Sequence, residues 1–300
     1  MLMRTQPQKT RELESHHFDS TIWNDFKFRD DYVIVATYAK SGTTWTQQIV
    51  GQILYNGDET LDVGALSPWL DLRIPPKPVK LDALEAQTGR RFVKTHLPVD
   101  ALVFCPKAKY IYIGRDGRDV VWSMYNHHVS ANDMWYAALN DTPGRVGPPI
   151  ERTDLDVVSY FRQWLDKDGF PFWPFWENVR SWWALRNLPN VKFIHFANLK
   201  RDLSGQMREI AGYLGVAVDE AKWPGIVEHC TFDYMKTHAA RSAPLGGVLW
   251  EGGAETFINK GTNGRWRDFL TAEDSARYEA RALEELGPEC ARWLASGELT

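Results

Sequence analysis

The sequence predicts an α/β fold with a central parallel β-sheet flanked by helices. Three segments, 32–54, 109–128 and 191–215, each place an apolar strand before a helix with apolar residues at helical spacing. A fourth short strand lies in "RRFVKTHLPV". Strands that alternate with helices form a parallel sheet with helices on both faces. No Pro/Ser/Gly-rich linker divides the 300 residues, so we expect one domain over residues 1–300.

The first strand, residues 32–37, leads into the turn "AKSGTT" and then into a helix. Such a turn offers backbone N–H groups and the positive helix end to an anion. Gly42 lets the backbone approach the anion, Thr43 and Thr44 add hydroxyl donors, and Lys40 adds a charge. A nucleotide-hydrolysing loop reads G-x-x-x-x-G-K-[ST], whereas here Lys40 precedes Gly42 and the first glycine is missing. The turn therefore predicts a site for a different phosphate-like group.

The next two strands bring polar residues to the same edge of the sheet. Lys94 and His96 follow "RRFV", and Arg115 follows "YIYIG". A turn at residues 116–117 then begins a helix that carries Ser123. A histidine beside a lysine at the carboxyl end of a strand is a candidate for acid–base catalysis. We expect these side chains to converge on the turn after the first strand.

Four further segments are not explained by the alternating pattern. Residues 1–20 lack the apolar core of a signal peptide and are expected to be flexible or loosely packed. The tryptophan-rich segment 161–187 predicts a helix or a helix pair with a bulky buried face, in preference to an aromatic substrate cage. Segments 131–154 and 237–266 are rich in Gly, Pro and small residues, which is typical of long loops or lids.

Composition limits the class of partner. The formal net charge of −4 argues against a nucleic-acid-binding protein, because such proteins usually carry a basic excess. No run of eighteen apolar residues predicts a membrane span, and three scattered cysteines indicate a reducing compartment, so we expect a cytoplasmic protein. No clustered His/Cys/Asp/Glu set predicts a metal site.

Four motifs in order, "YAKSGTTW", "VKTHLP", "GRDGRDVVWSMYNH" and "NKGTNGRWRDFLT", resemble the cytosolic sulfotransferase family over nearly the whole chain. The resemblance implies a fold similar to that of P-loop kinases. It also implies transfer of the sulfuryl group of 3'-phosphoadenosine 5'-phosphosulfate (PAPS) to a hydroxyl or amine, which leaves 3'-phosphoadenosine 5'-phosphate (PAP). No metal is required for this chemistry.

The resemblance implies a role for each matching residue. Lys40 neutralises charge on the leaving oxygen, Lys94 steadies the sulfuryl group, and His96 is the general base. Arg115 and Ser123 match the pair that binds the 3'-phosphate. The full set of cofactor-binding residues implied in this way is Lys40, Ser41, Gly42, Thr43, Thr44, Trp45, Arg115, Ser123, Phe196, Thr231, Phe232, Asn259, Lys260 and Gly261.

The chain departs from the family pattern at two of these positions. Asn259 stands where the family often has arginine, and Phe196 stands where it often has tyrosine. Arg265 or Arg241 could compensate for the missing arginine. The dimer motif of the family is not clearly kept in "RDFLTAEDSARYE", so a monomer and a homodimer both remain open.

The acceptor pocket is expected from loops 62–80, 131–154 and 237–258, and their content favours a small apolar or aromatic alcohol or phenol. The residues expected there are Trp69, Leu70, Met134, Trp135, Tyr136, Leu245 and Trp250.

Two other functions compete with sulfuryl transfer. A P-loop-type nucleotide or small-molecule kinase would use Asp116 as a magnesium ligand, but the altered turn argues against it. A non-catalytic nucleotide-binding protein would not need Lys40, Lys94 and His96 together.

Overall fold

Four parallel strands form the centre of the protein in a computed structural model, which describes residues 6–299. They are β1 (Val33–Thr37), β2 (Phe92–Thr95), β3 (Lys109–Gly114) and β4 (Val191–His195), in the order β2-β1-β3-β4. Helices cover both faces of this sheet, as expected of an α/β domain.

The helices occupy most of the remaining chain. The α-helices are α1 (Ile22–Asp25), α2 (Thr43–Leu54), α3 (Val63–Leu66), α4 (Lys77–Ala86), α5 (Gly117–Val129), α6 (Asp133–Asp141), α7 (Val157–Asp166), α8 (Phe175–Trp183), α9 (Phe196–Arg201), α10 (Leu203–Leu214), α11 (Trp223–Glu228), α12 (Phe232–Thr237), α13 (Ala239–Ser242), α14 (Gly253–Phe257) and α15 (Ala272–Ser296). Short 3-10 turns span Val99–Ala101, Pro244–Gly247 and Arg265–Asp268.

Alternation along the strands divides the core into two layers. In β1, Val33 and Val35 belong to the cluster that also contains apolar residues of α2 and α10, whereas Ile34 and Ala36 belong to the cluster with α5, α8 and α15. All four side chains are inaccessible to solvent. A strand that is apolar on both faces is the expected consequence of burial between two helical layers.

Register aligns the carboxyl ends of the strands. Ala36 lies opposite Thr95, Thr37 lies opposite Ile113, and Gly114 lies opposite His195. The residues that follow the four strands therefore emerge at one edge of the sheet.

The tryptophan-rich segment forms the predicted helix pair, α7 and α8. Trp164, Trp176 and Trp182 are each less than 2% exposed and pack in the core. The residues between the two helices have a second use, because Phe172 and Trp173 border a large cavity. The segment thus supplies both core and cavity wall, which differs from the purely buried role expected for it.

Both segments expected to be long loops contain helices. α6 begins within 131–154, where the Asn132 side chain accepts a hydrogen bond from the Trp135 amide N–H. Trp135 and Leu139, four residues apart on α6, are buried. α13, α14 and the 3-10 turns divide segment 237–266 in the same way. Capping and buried helical spacing outweigh the Gly and Pro content.

The N-terminal segment is packed more tightly than expected. Within residues 1–20, positions 1–5 lie outside the described residues, but His16, His17, Phe18 and Ser20 are buried. The backbone N–H of Arg73 donates to the His17 carbonyl at 2.6 Å, and the Asp19 N–H donates to the Asp71 carbonyl at 3.0 Å. These bonds hold residues 17–19 against the strap formed by residues 68–73.

Two further findings concern membrane spans and thiols. In the part of the chain that is described, no helix has the length and apolar content needed to cross a bilayer. Cys105, Cys230 and Cys290 are free thiols.

We predict that Gly114→Ala lowers the free energy of unfolding by about 1–3 kcal/mol, the usual cost of overpacking a core. A Cβ atom on Gly114 would overlap the indole ring of Trp293, which is 1% exposed and has little room to move. Urea denaturation measures the change. Gly212→Ala is the control, because Gly212 lies in α10 with no heavy atom near its added Cβ. Equal effects of the two substitutions would contradict this account.

Candidate active site

A cavity of about 460 Å³ opens at the edge of the sheet where the strands end. Its lining includes the turn after β1, the segment between α3 and α4, the end of β2, α5 and the segment 257–262. We divide the lining into a basic set, Lys40, Lys94, Arg115, Lys260 and Arg265, and an aromatic set, Trp69, Trp135, Phe172, Trp173, Trp250 and Phe257. The two sets give the cavity both a charged and an apolar part.

The turn after β1 has the backbone conformation of an anion-binding loop. Lys40 has φ of 64° and Gly42 has φ of 114°. A Cβ at Gly42 would lie 2.9 Å from both Ile113 Cδ1 and Phe196 Cδ2, so only glycine fits there. The Thr43 hydroxyl is buried without a hydrogen-bond partner and borders the cavity. A ligand with acceptor oxygens would satisfy it.

Lys40 and Lys94 of the basic set are partly buried, and neither forms an ion pair with a carboxylate in the described part of the chain. Burial, followed by repulsion from Arg115 and Lys94, lowers the pKa of Lys40 to about 7. Burial lowers the pKa of Lys94 to about 8, although the Asp71 carboxylate opposes this shift. The Lys40 ammonium lies 4.5 Å from the centre of the Phe257 ring. Both lysines are therefore poised to bind an anion.

His96 is held by contacts on every side. Its Nδ1 lies 2.7 Å from the Thr37 carbonyl oxygen, and its own carbonyl accepts a hydrogen bond from Asn178 Nδ2 at 2.9 Å. A carbonyl can only accept, so Nδ1 carries the proton and Nε2 has the free lone pair. The ring contacts Trp69 edge-on at 4.6 Å between centroids and stacks on Trp173 at 5.8 Å.

Charge and burial keep the His96 imidazole neutral. Burial is the larger cause, and repulsion from Lys94 and Lys40 adds to it, so that the pKa falls to about 3 despite the hydrogen bond to Thr37. The imidazole is thus an unprotonated base across the physiological pH range. Its basicity would rise if an anion neutralised the two lysines.

Asp71 organises the strap that faces His96. This fully buried carboxylate accepts hydrogen bonds from the indole N–H groups of Trp23 and Trp69 and from the His96 amide N–H at 3.4 Å. Trp69 pairs with Lys94 as an isolated parallel bridge. The strap therefore sets the position of the Trp69 ring against His96.

Arg115 ties the turn after β1 to the segment near residue 262. Its Nη1 donates to the Lys40 carbonyl at 3.1 Å, and its Nη2 donates to the Thr262 carbonyl at 2.8 Å. The guanidinium lies over the Phe196 ring at 4.2 Å. Asp119 reinforces this link, because its carboxylate accepts from the Gly264 N–H at 2.8 Å. Arg115 thus links the turn that carries Lys40 to the segment that carries Lys260.

Most of the residues assigned to the cofactor from sequence border the cavity. They are Lys40, Gly42, Thr43, Thr44, Trp45, Arg115, Ser123, Phe196, Phe232, Asn259, Lys260 and Gly261, together with Lys94 and His96. Ser41 and Thr231 do not: Ser41 is 2% exposed, and the Thr231 hydroxyl caps α12. Phe232 packs against Gly261, whose φ of 58° and close contact leave no room for a side chain.

The two arginines that could replace the positive charge missing at Asn259 lie in different places. Arg265 borders the cavity, whereas Arg241 donates to the Glu59 carbonyl and does not. Phe196, at the position of the missing tyrosine, instead contacts the Trp45 ring edge-on at 5.2 Å.

Only part of the expected acceptor set lines the cavity. Trp69, Trp135, Leu245 and Trp250 do so. Leu70 was placed wrongly, because it is wholly buried in the core, and Met134 is 59% exposed outside the cavity. Tyr136 points away from the cavity, where its hydroxyl donates to the His128 carbonyl. Met134 and Tyr136 flank Trp135 on α6, and the turn of about 100° per residue directs them away from the side on which Trp135 borders the cavity.

Sequence reasoning missed several cavity residues. His17 lies in the segment expected to be loose, and Phe172 and Trp173 lie in the segment read as core. His127 could have been found, because it follows Ser123 by four residues on the helix α5 and so shares its face.

The magnesium role considered for Asp116 has no support in the geometry. The Asp116 carboxylate caps α5 and pairs with Arg118 Nη2 at 2.7 Å, and it does not border the cavity. Among residues 6–299, no group of three or more His, Cys, Asp or Glu side chains could hold a metal ion.

We predict that Lys40→Met makes the free energy of unfolding less dependent on pH above neutrality. Folding lowers the Lys40 pKa from 10.5 to about 7, so between these values the unfolded chain binds a proton that the folded chain releases. Stability gained with rising pH should fall in the variant by up to about 1.4 kcal/mol per pH unit. Urea denaturation at pH 7, 8 and 9 measures this slope.

The control for that experiment is Lys27→Met, which removes an exposed lysine instead. The pH dependence of its free energy of unfolding should match that of the parent protein. Parallel slopes for Lys40→Met and the parent would contradict the burial of an unpaired ammonium at this turn.

Comparison with known proteins places the chain in a family. A glycolipid sulfotransferase of Mycobacterium tuberculosis (strain H37Ra) is 29% identical over 301 residues, which cover 93% of this chain and 92% of that protein. Rat sulfotransferase 1A1 is 29% identical over 259 residues, covering 83% and 82%.

Solved structures agree with the fold. Mouse sulfotransferase SULT7A1 complexed with PAP superposes with a TM-score of 0.70 at 23% identity, covering 92% of each chain. Retinol dehydratase in complex with androsterone and inactive cofactor PAP superposes with a TM-score of 0.69 at 26% identity, covering 89% of this chain and 83% of that one. The family model described as the sulfotransferase domain matches residues 30–287. The chain belongs to the sulfotransferase domain family.

Proposed function

We propose that this sulfotransferase moves the sulfuryl group of PAPS to the hydroxyl, or amine, of a small apolar or aromatic acceptor, with His96 as the general base. The observation that carries the proposal is the state of His96. Its Nδ1 proton is engaged by the Thr37 carbonyl, and its pKa is held low in part by the partly buried Lys40 and Lys94. A neutral base next to two unpaired cations suits the transfer of an anionic group to a hydroxyl.

The cavity residues fit a bisphosphorylated nucleotide. The unpartnered Thr43 hydroxyl, the left-handed turn at Gly42 and the Lys40 ammonium would hold the 5'-phosphosulfate. Arg115, Ser123, Lys260 and Gly261 would hold the 3'-phosphate. PAP-bound relatives of the same fold support this assignment.

The adenine side of the site is supported by aromatic contacts. Trp45 and Phe232 would stack on the base, with Phe196 beside them. The Trp45 indole N–H donates to the Cys230 carbonyl at 2.7 Å, which fixes the ring. Arg265 borders the cavity and would supply the charge that Asn259 lacks.

When bound, PAPS supplies an activated sulfuryl group with a phosphate as its leaving group. His96 Nε2 would take the proton of the acceptor hydroxyl as the new oxygen–sulfur bond forms. Lys40 would stabilise the electron pair left on the phosphate oxygen, and Lys94 would stabilise the oxygens of the sulfuryl group. Aromatic side chains around His96 exclude water, which strengthens these charge interactions.

Transfer of labelled sulfate from PAPS to a panel of phenols, alcohols and amines tests the proposal directly. We expect cofactor-dependent product that survives addition of a chelator, since the proposed mechanism assigns no step to a metal. A chelator-sensitive phosphoryl transfer from ATP would instead favour a kinase. Nucleotide binding without transfer to any acceptor would favour a non-catalytic protein.

We predict that His96→Asn lowers turnover with an aliphatic alcohol by about 10²–10⁴, the usual contribution of general base catalysis. Phenols of low pKa should lose least, because they need the base least. PAP affinity, measured by calorimetry, should change little and serves as the control. Parent-like turnover with the alcohol would exclude His96 as the base.

We also predict that Arg115→Ala weakens binding of PAP more than binding of adenosine 5'-phosphate, by about 1.5–3 kcal/mol for a lost charge-assisted hydrogen bond. The second nucleotide lacks the 3'-phosphate, so it reports only the structural loss of the Lys40 and Thr262 contacts. Calorimetric titration of both nucleotides gives the difference. Equal weakening would mean that Arg115 does not read the 3'-phosphate.

A further inference from the structure

The aromatic set of the cavity and the neighbouring His127 contain polar atoms that no other group in the described part of the chain satisfies. Among the described residues, His127 Nδ1, Trp173 Nε1 and Trp250 Nε1 are buried without a hydrogen-bond partner. All three residues border the cavity. An unpaired polar atom in a protein interior costs free energy, so three at one wall call for an explanation.

His127 and Trp250 lie together. Their ring centres are 5.1 Å apart, although they come from α5 and from segment 248–252. The other rings around His127 belong to Trp135, at 5.8 Å, Phe257, at 6.2 Å, and Phe172, at 6.4 Å. The face of an aromatic ring does not offer a strong hydrogen bond.

The adjacent histidine shows the contrast. His128 also packs among aromatic rings, but its Nε2 lies 2.7 Å from the Glu151 carbonyl oxygen. Nδ1 lacks a partner in both histidines, but His127 borders the cavity and His128 does not, so a ligand in the cavity would meet His127.

The imidazole of His127 is neutral. Burial, with repulsion from Lys40, His17, His128 and Lys94, holds its pKa well below the usual range. A neutral imidazole can accept one hydrogen bond, whereas the indole N–H of Trp250 can only donate one. A hydroxyl group is complementary to this pair, because it can accept from the indole and donate to the imidazole.

The charged residues of the cavity lining restrict the class of ligand further. Among residues 6–299, no aspartate or glutamate borders the cavity, whereas lysines and arginines do. A ligand ammonium would be buried among like charges with no counterion, which is strongly unfavourable.

We propose that His127 and Trp250 bind a second, uncharged hydroxyl of the acceptor, so that the enzyme selects apolar compounds with two hydroxyls and rejects ammonium compounds. The proposal rests on the proposed sulfuryl transfer, in which the first hydroxyl faces His96. Trp69, Trp173, Trp135 and Phe172 separate the two histidines along the wall and would contact the apolar body of the acceptor.

The test uses phenols with a para tail of two, four or six carbons that ends in a methyl, a hydroxyl or an ammonium group. The phenol is the same nucleophile throughout, so differences in kcat/KM report the tail end. At one tail length, the parent enzyme should prefer the hydroxyl over the methyl end on the order of 10-fold, as expected for two neutral hydrogen bonds. The ammonium end should react on the order of 100-fold more slowly than the hydroxyl end.

Substitutions in the cavity wall test which residue causes the preference for the hydroxyl end. His127→Phe, which keeps a ring but removes both nitrogens, should reduce the preference for the hydroxyl end to about twofold or less. His127→Gln, which restores a hydrogen-bonding group, should keep more of the preference than His127→Phe. Trp135→Phe changes the shape of the same wall and should retain it. PAP affinity of each variant, measured by calorimetry, checks that the fold and the basic set are intact.

The outcomes separate this proposal from the proposed function. Sulfate transfer with equal kcat/KM for methyl and hydroxyl ends at every tail length would overturn the second-hydroxyl site and leave sulfuryl transfer standing. A preference that persists in His127→Phe would overturn the assignment to His127. Failure to transfer sulfate to any phenol, with PAP still bound, would overturn the proposed transfer to phenols and this inference with it.

Discussion

The parallel register of the four strands is the constraint on which the site depends. It brings Thr37, Thr95 and Gly114 to one edge, so that residues far apart in sequence leave the sheet side by side. The hydrogen bond between His96 and the Thr37 carbonyl exists because β1 and β2 are neighbours. The bond from Arg115 to the Lys40 carbonyl exists because β1 and β3 are neighbours. A slip of register would break both bonds at once.

Burial of the groups at this edge of the sheet also sets their charge. Burial lowers the pKa of Lys40, Lys94 and His96 together. Repulsion from Lys94 adds to the shift at Lys40, and repulsion from both lysines adds to the shift at His96. The free protein stores this unfavourable electrostatic free energy at the turn after β1, where an anion would relieve it. The carboxylate of Asp71 is near enough to oppose the shift at Lys94 but is occupied by two indoles and the His96 amide.

The sequence predicted the elements whose signals are local. Apolar strands followed by helical spacing identified the sheet, and the order of motifs identified Lys40, Lys94, His96 and Arg115 as neighbours. It could not predict which face of α6 meets the cavity, and so Met134 and Tyr136 were misplaced. Nor could it predict that Leu70 in the strap packs into the core beside Trp69, which borders the cavity. It also could not predict that residues 16–20 are buried, because their partners lie in the strap around Asp71. The direction of the His96 pKa shift required the burial of the whole site to be known.

The absence of carboxylates from the described cavity lining has a kinetic consequence. The chain as a whole carries a formal charge of −4, so at long range it repels a polyanionic nucleotide. The lining would attract the same nucleotide through its basic residues, which are Lys40, Lys80, Lys94, Arg115, Lys200, Lys260 and Arg265. Salt screens charges beyond about 8–10 Å, so it weakens the long-range repulsion and the exposed part of the attraction, but acts less on the buried contacts. We therefore expect ionic strength to change the association rate of such a nucleotide more than its dissociation rate.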